Sequence, residues 1–273
     1  MGRTRVMGVV NVTPDSFSDG GRWFDPEAAV AHGLELLAEG ADIVDVGGES
    51  TRPGAERPDT AEELRRVLPV VAELAATGAV VSIDTMRAEV AAEAVAAGAR
   101  LVNDVSGGLA EAEMLSTVAD LGVAYVCMHW RGHSTVMEQR TVYADVVTDV
   151  VHELRERIDR ARTAGVERDQ LVVDVGFGFA KTGEHNWELL RRMDELEVLG
   201  VPLLAGVSRK RFLGSLLADR DGEPRPPVGR DDATTALTTL LAWRDVWGVR
   251  VHSVRASRDA VAVVQRLRDR PSD

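Results

Sequence analysis

Residues 79–104, AVVSIDTMRAEVAAEAVAAGARLVND, contain one strand–helix–strand unit. The unit opens with an apolar run that ends at Asp84, and an Ala-rich stretch typical of a helix follows. Gly98 is placed to end that helix, and a second apolar run ends at Asn103. The stretch therefore predicts two parallel strands joined by a helix, each strand closing on a polar side chain.

The same pattern occurs eight times along the chain. The apolar runs lie at 6–10 before Asn11, 42–46 before Gly47, 79–83 before Asp84, 100–102 before Asn103, 123–128 before His129, 170–173 before Asp174, 201–205 ahead of Ser208, and 248–251 before His252. Eight such repeats in 273 residues predict an α/β fold, a closed (β/α)8 TIM barrel, with residues 1–273 as a single domain.

Helical segments are expected in the gaps between the strands. They are predicted at 25–39, 59–76, 87–97, 110–120, 144–164, 186–197, 209–218, 231–245 and 256–268. Asp25 is a candidate N-cap for the first of these helices, with Pro26 at its first position. The charged, Pro-rich segment 219–230 is interpreted as an exposed insertion.

Composition disfavours several classes of protein. The 32 Lys and Arg residues against 44 Asp and Glu give a net charge of −12, which disfavours a nucleic-acid partner. No apolar run approaches the roughly 18–20 residues of a membrane span, and no signal peptide is evident. The lone cysteine, Cys127, lies within an apolar run and is expected to be a buried thiol, which fits a cytoplasmic protein.

The polar residues that end the strands are expected to converge on one face of the barrel. Asp84, Asn103 and Asp174 offer carboxylate and carboxamide groups, which suit a planar heterocycle with amide and amino edges. Lys210 could donate to a ring carbonyl, and the apolar surfaces expected beside the ring are Met128 and Phe179. Alternatively, Asp84 caps the following helix and Asp174 caps a turn.

Cationic residues follow the last two strands. Arg250 and His252 share one side of strand eight because side chains alternate along a strand, and the sequence Ser208-Arg209-Lys210 follows strand seven. TIM barrels often bind phosphate between these two loops. In the alternative interpretation the basic residues after Ser208 are a solvated helix face, and His252 is an ordinary strand-end residue.

Seven sequence blocks resemble the bacterial dihydropteroate synthase family. They occur in the same order as in the family and span nearly the whole chain: 7–21 (MGVVNVTPDSFSDGG), 42–55 (DIVDVGGESTRPGA), 82–87 (SIDTMR), 103–108 (NDVSGG), 174–182 (DVGFGFAKT), 206–214 (GVSRKRFLG) and 249–257 (VRVHSVRAS). The resemblance implies a TIM barrel, usually a homodimer, that condenses 6-hydroxymethyl-7,8-dihydropterin diphosphate with para-aminobenzoate. It also implies release of pyrophosphate and the use of Mg2+.

The resemblance further implies a role for each matching residue. The pterin would be held and flanked by Asp84, Asn103, Asp174, Lys210, Met128 and Phe179, with Gly206 allowing close approach. The diphosphate would meet Arg250, His252 and Arg52, with Asn11 also binding the metal. The aminobenzoate pocket would involve Thr51, Pro53, Phe17 and Ser208, and Asp15 would lie in a loop that closes over the site. The residues with implied catalytic roles are Asp84, Lys210, Arg250, His252 and Asp15.

Two positions depart from the family pattern. Val175 stands where the family usually has Pro, and Ser253 stands where it usually has Asp. Two other functions stay open: a non-catalytic paralogue that keeps the pterin pocket, and a pterin-dependent methyltransferase that acts with a corrinoid protein.

Overall fold

The structure, a computed structural model, describes residues 3–13, 26–49, 57–133 and 140–269. Within them eight parallel strands form a closed barrel in chain order, with the last strand paired to the first. The strands are β1 Arg5–Asn11, β2 Ile43–Gly47, β3 Val81–Asp84, β4 Leu101–Asp104, β5 Ala124–Met128, β6 Leu171–Asp174, β7 Leu203–Ala205 and β8 Gly248–Val251. The predicted TIM barrel is confirmed.

Helices follow the strands around the barrel. They are α1 Pro26–Ala38, α2 Thr60–Ala76, α3 Ala88–Ala96, α4 Met114–Leu121, α5 Val146–Thr163, α6 Gly183–Arg191, α7 Arg211–Leu216, α8 Asp231–Trp243 and α9 Val254–Arg268. The α2 helix begins where predicted because the Asp59 side chain accepts a hydrogen bond from the Glu62 amide. In the described part of the chain, none of the helices has both the length and the apolar character needed to span a membrane.

Several helix bounds differ from the predictions, and α4 starts at Met114, four residues later than predicted. The segment predicted as one helix over 186–197 divides into α6 and a 3-10 helix, Met193–Leu199. The α6 helix starts earlier than predicted because the Thr182 side chain caps it. The α7 helix starts at Arg211, two residues late, because Arg209 has a φ of +57°, which a helix cannot include. The N-cap candidate Asp25 lies outside the described residues.

The barrel interior has an apolar lower layer. Side chains two residues apart on a strand share a face, so a strand that places one residue in this layer points the second residue after it to the same side, nearer the rim. The lower layer is the buried cluster of Met7, Ile43, Leu101, Val126, Val172 and Leu204. Two positions farther along five of these strands are Asp45, Asn103, Met128, Asp174 and Gly206. This alternation places the polar side chains of Asp45, Asn103 and Asp174 at the carboxyl-end rim of the barrel, directly above the apolar layer.

Candidate active site

Arg250 on β8 links two other strands at the rim, and Asn103 adds a third. Its Nε donates to Asp45 Oδ2 at 2.6 Å, and its Nη2 donates to Asp84 Oδ2 at 2.7 Å. Asn103 Nδ2 donates to the same oxygen of Asp45 at 3.0 Å. The side chain of Asp45 is fully buried, whereas that of Arg250 is 23% exposed. Strands β2, β3, β4 and β8 are therefore joined by one continuous polar network.

Burial decides the charge state of this network. It raises the pKa of Asp84 to about 7, although the guanidinium of Arg250 acts in the opposite direction. Burial also acts to lower the pKa of Arg250, but the carboxylates of Asp45 and Asp84 raise it further above its usual value. Arg250 therefore stays cationic, and burial makes the Asp84 carboxyl easier to protonate than an exposed aspartate.

Asp174, at the end of β6, has one carboxylate oxygen that caps a turn and a second that borders Gly206. Its Oδ1 accepts a hydrogen bond from the Gly176 amide at 2.7 Å, as the turn interpretation required. A Cβ added at Gly206 would lie 3.5 Å from Oδ2. Burial raises the pKa of this carboxyl.

The helix-cap interpretation of Asp84 is wrong. The N-cap position of α3 is Arg87, and the Asp84 side chain pairs with Arg250 instead.

Lys210 completes this side of the rim. Its Nζ lies 4.1 Å from the centroid of the Phe179 ring, close enough for a cation–π contact. Gly178 has a φ of +76°, and a Cβ there would come within 2.9 Å of Lys210 Cδ. Burial lowers the pKa of Lys210 to about 8, against the attraction of Asp174. Met128 and Phe179 belong to one apolar cluster. The two apolar side chains that the sequence predicted beside a flat ring therefore lie close together.

Ser208 and His252 connect the ends of β7 and β8. Ser208 Oγ lies 3.0 Å from His252 Nδ1, and the His252 amide donates to the same hydroxyl at 3.2 Å. Arg209, between Ser208 and Lys210, turns away and forms a two-pronged ion pair with Asp231 at 2.7 and 2.8 Å. Its left-handed backbone thus lets the residues on either side of it reach the rim.

The structure places the described candidates at one end of the barrel. These residues are Asn11, Asp84, Asn103, Met128, Asp174, Phe179, Gly206, Ser208, Lys210, Arg250 and His252. Asn11 ends β1 in register with Gly47, and within the described ranges its side chain makes no hydrogen bond to the Arg250 network. The candidates Asp15, Phe17, Thr51, Arg52 and Pro53 lie outside the described residues.

The two departures from the family pattern leave the rim contacts in place. Val175 is fully buried in the core, and Asp174 still accepts its hydrogen bond from Gly176. Ser253 occupies the N-cap position of α9 without a side-chain cap, and its carbonyl accepts from Ser257 Oγ at 2.8 Å.

Sequence reasoning missed Asp45, the residue on which the polar network depends. The available signal was an acidic side chain inside the apolar run 42–46, two residues before Gly47 and therefore facing the barrel interior. A buried Asp in a strand requires a partner, and Arg250 is that partner. A second unpredicted group, His129, Glu153 and Lys181, lies between the loops that follow β5 and β6.

The comparisons with known proteins agree with one another. The sequence profile of the family described as pterin binding enzyme matches residues 7–252. A dihydropteroate synthase of Mycobacterium leprae is 58% identical over 261 residues, which is 95% of this chain and 92% of that protein. The chain also resembles two structures of Xanthomonas albilineans dihydropteroate synthase. One, with 4-aminobenzoic acid, has 47% identity and a TM-score of 0.89, covering 98% of this chain and 94% of that one. The other, in complex with 7,8-dihydropteroate, has 45% identity and a TM-score of 0.86, covering 98% and 95%.

Proposed function

This chain belongs to the dihydropteroate synthase family of pterin-binding enzymes, and we propose that it condenses 6-hydroxymethyl-7,8-dihydropterin diphosphate with para-aminobenzoate. The products are 7,8-dihydropteroate and pyrophosphate. The observation that supports this best is the network in which Arg250 joins Asp84 at 2.7 Å, because it sets a ring-binding carboxylate beside an anion-binding cation. The related proteins named above support the same reaction.

The pterin binds at the acidic side of the rim. Carboxylates of Asp84 and Asp174 accept from ring NH and NH2 groups, Asn103 both donates and accepts, and Lys210 donates to the ring carbonyl. Met128 and Phe179 pack against the faces of the ring. Gly206 leaves space in front of Asp174 Oδ2.

The diphosphate binds at the cationic side. Among the described residues, the hydrogen bonds of Arg250 use Nε and Nη2, so Nη1 is left to face an anion. His252, fixed by Ser208, lies two residues farther along the same face. Arg52 adds a further charge from the second loop, where Thr51 and Pro53 shape the aminobenzoate pocket.

The substitution is dissociative, resembling an SN1 reaction. The diphosphate leaves from a CH2 group on an electron-rich ring, and the positive charge that develops is delocalised into the pterin. Arg250 stabilises the departing anion, while Asp84 and Asp174 stabilise the cation. An arylamine is neutral at pH 7 and needs no strong base. Asp15 and Phe17, in the first loop, help to exclude water from the cation.

Asn11 fits a role in holding Mg2+. Its side chain offers a carboxamide oxygen at the end of β1, and within the described residues no hydrogen bond uses that oxygen. Mg2+ prefers oxygen ligands and commonly keeps several waters and substrate phosphate oxygens, so one protein ligand suits it. The bound ion supplies charge neutralisation for the leaving diphosphate.

A pyrophosphate-release assay tests the function. We expect rapid release only when the pterin diphosphate, para-aminobenzoate and Mg2+ are all present, and a loss of about 100-fold when EDTA removes the metal. Asn11→Ala should raise the Mg2+ concentration needed for half-maximal rate, whereas Asn11→Asp, which keeps an oxygen ligand, should not. Pterin binding without pyrophosphate release would favour the non-catalytic paralogue instead. Methyl transfer to a corrinoid would favour the methyltransferase.

We further propose a homodimer formed through α8 and α9. These helices pack side by side, and their outer faces expose Leu240 (60%), Trp243 (53%), Val263 (57%) and Leu267 (68%). The spacing of three and four residues puts each pair on one helix face, and the Arg268 guanidinium covers the Trp243 ring at 5.4 Å. An exposed apolar patch of this kind suits a two-fold contact with a second copy.

Light scattering tests the dimer. Leu240→Glu should shift the mass from dimer to monomer, because two copies of the new charge would be buried at the interface. Val198→Glu, at an equally exposed apolar position in the 3-10 helix, should leave the dimer intact. A Leu240→Glu protein that stays dimeric would exclude this face as the contact.

We also propose that the chain forms a single domain and that it is located in the cytoplasm. The cytoplasmic location is consistent with its single cysteine, which is buried and free.

A further inference from the structure

The ammonium group of Lys181 lies inside the loop between β6 and α6. Its Nζ lies 2.9 Å from His129 Nδ1, and it donates to the carbonyls of Gly176 and Phe179 at 3.1 Å each. Lys181 is only 8% exposed. An ammonium has three N–H groups, so each of its protons has one acceptor here. The buried charge is thus fully hydrogen-bonded and almost entirely shielded from solvent.

This loop has a backbone that requires such support. Gly176 and Gly178 have φ values of +68° and +76°, and Ala180 has a φ of +47°, which is costly for a residue with a Cβ. Tyr143 donates to the Ala180 carbonyl at 3.0 Å, and Asn186 accepts from the Gly178 amide at 2.7 Å. Lys181 donates to two carbonyls of this loop at once, so the backbone between Asp174 and Phe179 is folded around its ammonium group.

His129 connects Lys181 to the neighbouring strand end. Burial lowers the pKa of His129 to about 3, so the imidazole is neutral. Because Lys181 donates to Nδ1, the ring proton is on Nε2, which donates to Glu153 at 3.1 Å. Arg131 holds Glu153 in turn, at 3.0 Å from its Nε. The chain of contacts runs from α5 through β5 to the β6 loop.

We propose that Lys181 is a positioning residue for pterin binding, because its ammonium fixes the loop that holds Asp174 and Phe179 against the strand end that holds Met128. The geometry supports a direct coupling. His129 immediately follows Met128, and its amide donates to the Asp174 carbonyl at 2.8 Å. Within the described residues, Lys181 makes no hydrogen bond to any of the candidate ring-binding side chains; its partners are His129 and two backbone carbonyls. This inference rests on the proposed function, since it assumes that the ring held at this rim is a pterin.

Protonation of Lys181 should strengthen pterin binding, because the ammonium can hold the loop with all three of its hydrogen bonds. Burial lowers its pKa to about 7. Below that pH the ammonium satisfies three acceptors, whereas above it the neutral amine has two N–H groups and leaves one acceptor unpaired. The charged groups that act on Lys181 are Asp174 on β6, Arg131 after β5, and Glu153 and Arg157 on α5; His185 on α6 lies close enough to feel its charge.

Lys181→Met tests the inference by calorimetric binding of 6-hydroxymethylpterin, which lacks phosphate. We expect at least about tenfold weaker binding at pH 6, the effect of losing hydrogen bonds from a charged group. The KM for para-aminobenzoate should stay within about twofold, because the residues proposed for that pocket belong to other parts of the sequence. Tyr143→Phe is the matched control. It removes a neutral hydrogen bond to the same loop and should weaken pterin binding by less.

The pH dependence separates positioning from simple loss of structure. The ratio of the wild-type to the Lys181→Met pterin affinity should fall from about tenfold at pH 6 to a clearly smaller value at pH 9, where the neutral wild-type amine keeps only two of its three donors. Titration of Asp84 and Lys210 occurs in both proteins and cancels in the ratio. If Lys181→Met does not fold, Lys181→Gln takes its place, with a smaller loss and the same trend.

The outcomes are distinguishable. A ratio that is constant with pH, or equal losses for the pterin and for para-aminobenzoate, would reduce Lys181 to a general structural residue and overturn the inference. So would a variant that binds the pterin as tightly as the wild type does. A wild-type protein that neither binds the pterin nor releases pyrophosphate would instead overturn the proposed function.

Discussion

Arg250→Met is expected to reduce the rate of pyrophosphate release by about 1,000-fold, the order seen when a preorganised electrostatic donor is removed. The same change should lower the free energy of unfolding by about 3–5 kcal/mol, because it leaves Asp45 and Asp84 buried without their cation. Steady-state kinetics and urea denaturation measure the two effects. Both are large because Arg250 serves the fold and the ligand at once.

The stability effect of Arg250→Met should depend on pH in a defined direction. The pKa of Asp84 is already raised to about 7, and removing its guanidinium partner raises it further. The variant should therefore lose most stability above pH 7, where the unpaired carboxylate is charged, and recover part of it at pH 5, where protonation neutralises it. Arg250→Lys keeps the charge and should retain most of the stability. A pH-independent loss would show that the carboxylates are not the cause.

Asp174→Asn is the second large effect that we expect. The amide keeps the shape but replaces a carboxylate acceptor with an NH2 donor, which opposes the NH groups of the ring. Loss of charged hydrogen bonds to a bound ligand costs about 3 kcal/mol, so the KM for the pterin diphosphate should rise about 100-fold. The KM for para-aminobenzoate should change less than about twofold. Initial-rate kinetics with each substrate varied in turn measure both quantities.

Asp104→Asn is the matched control for Asp174→Asn. Asp104 is also a fully buried carboxylate at a strand end, but it accepts from Ser106, Gly108 and Tyr125 within 2.7–2.8 Å. The change should destabilise the protein while leaving the pterin KM near that of the wild type. If both substitutions raised the pterin KM equally, Asp174 would have no special contact with the ring.

The barrel could be predicted from the sequence because the signals that define its strands and helices are local. Apolar runs and capping residues lie within a few positions of the elements that they define, and each run that ends in a polar residue gives a strand direction. The sequence alone therefore places Asp84, Asn103 and Asp174 at one rim of the barrel. The left-handed backbone of Arg209 escaped prediction because its partners are distant in the sequence: the Arg209 amide donates to Thr234, and its carbonyl accepts from Arg230.

The missed residues have partners that are distant in the chain. Asp45 pairs with Arg250 across 205 positions, and Lys181 with His129 across 52. Sequence spacing assigned Arg250 to the anion alone, whereas the structure also ties it to the acidic side of the rim through Asp84. Only the closed barrel brings Arg250 on β8 to Asp45 on β2 and Asp84 on β3, and no periodicity in the sequence encodes those contacts.

The hydrogen bonds that meet at Asp45 Oδ2 impose an evolutionary constraint. One oxygen accepts from Arg250 on one strand and from Asn103 on another. Replacing Asp45 leaves both donors without their acceptor, and replacing Arg250 or Asn103 removes one donor from that buried oxygen, so a single substitution is penalised even where a concerted one would be neutral. Among relatives, these positions should either be invariant or change in concert, whereas the solvent-facing helices between them diverge freely.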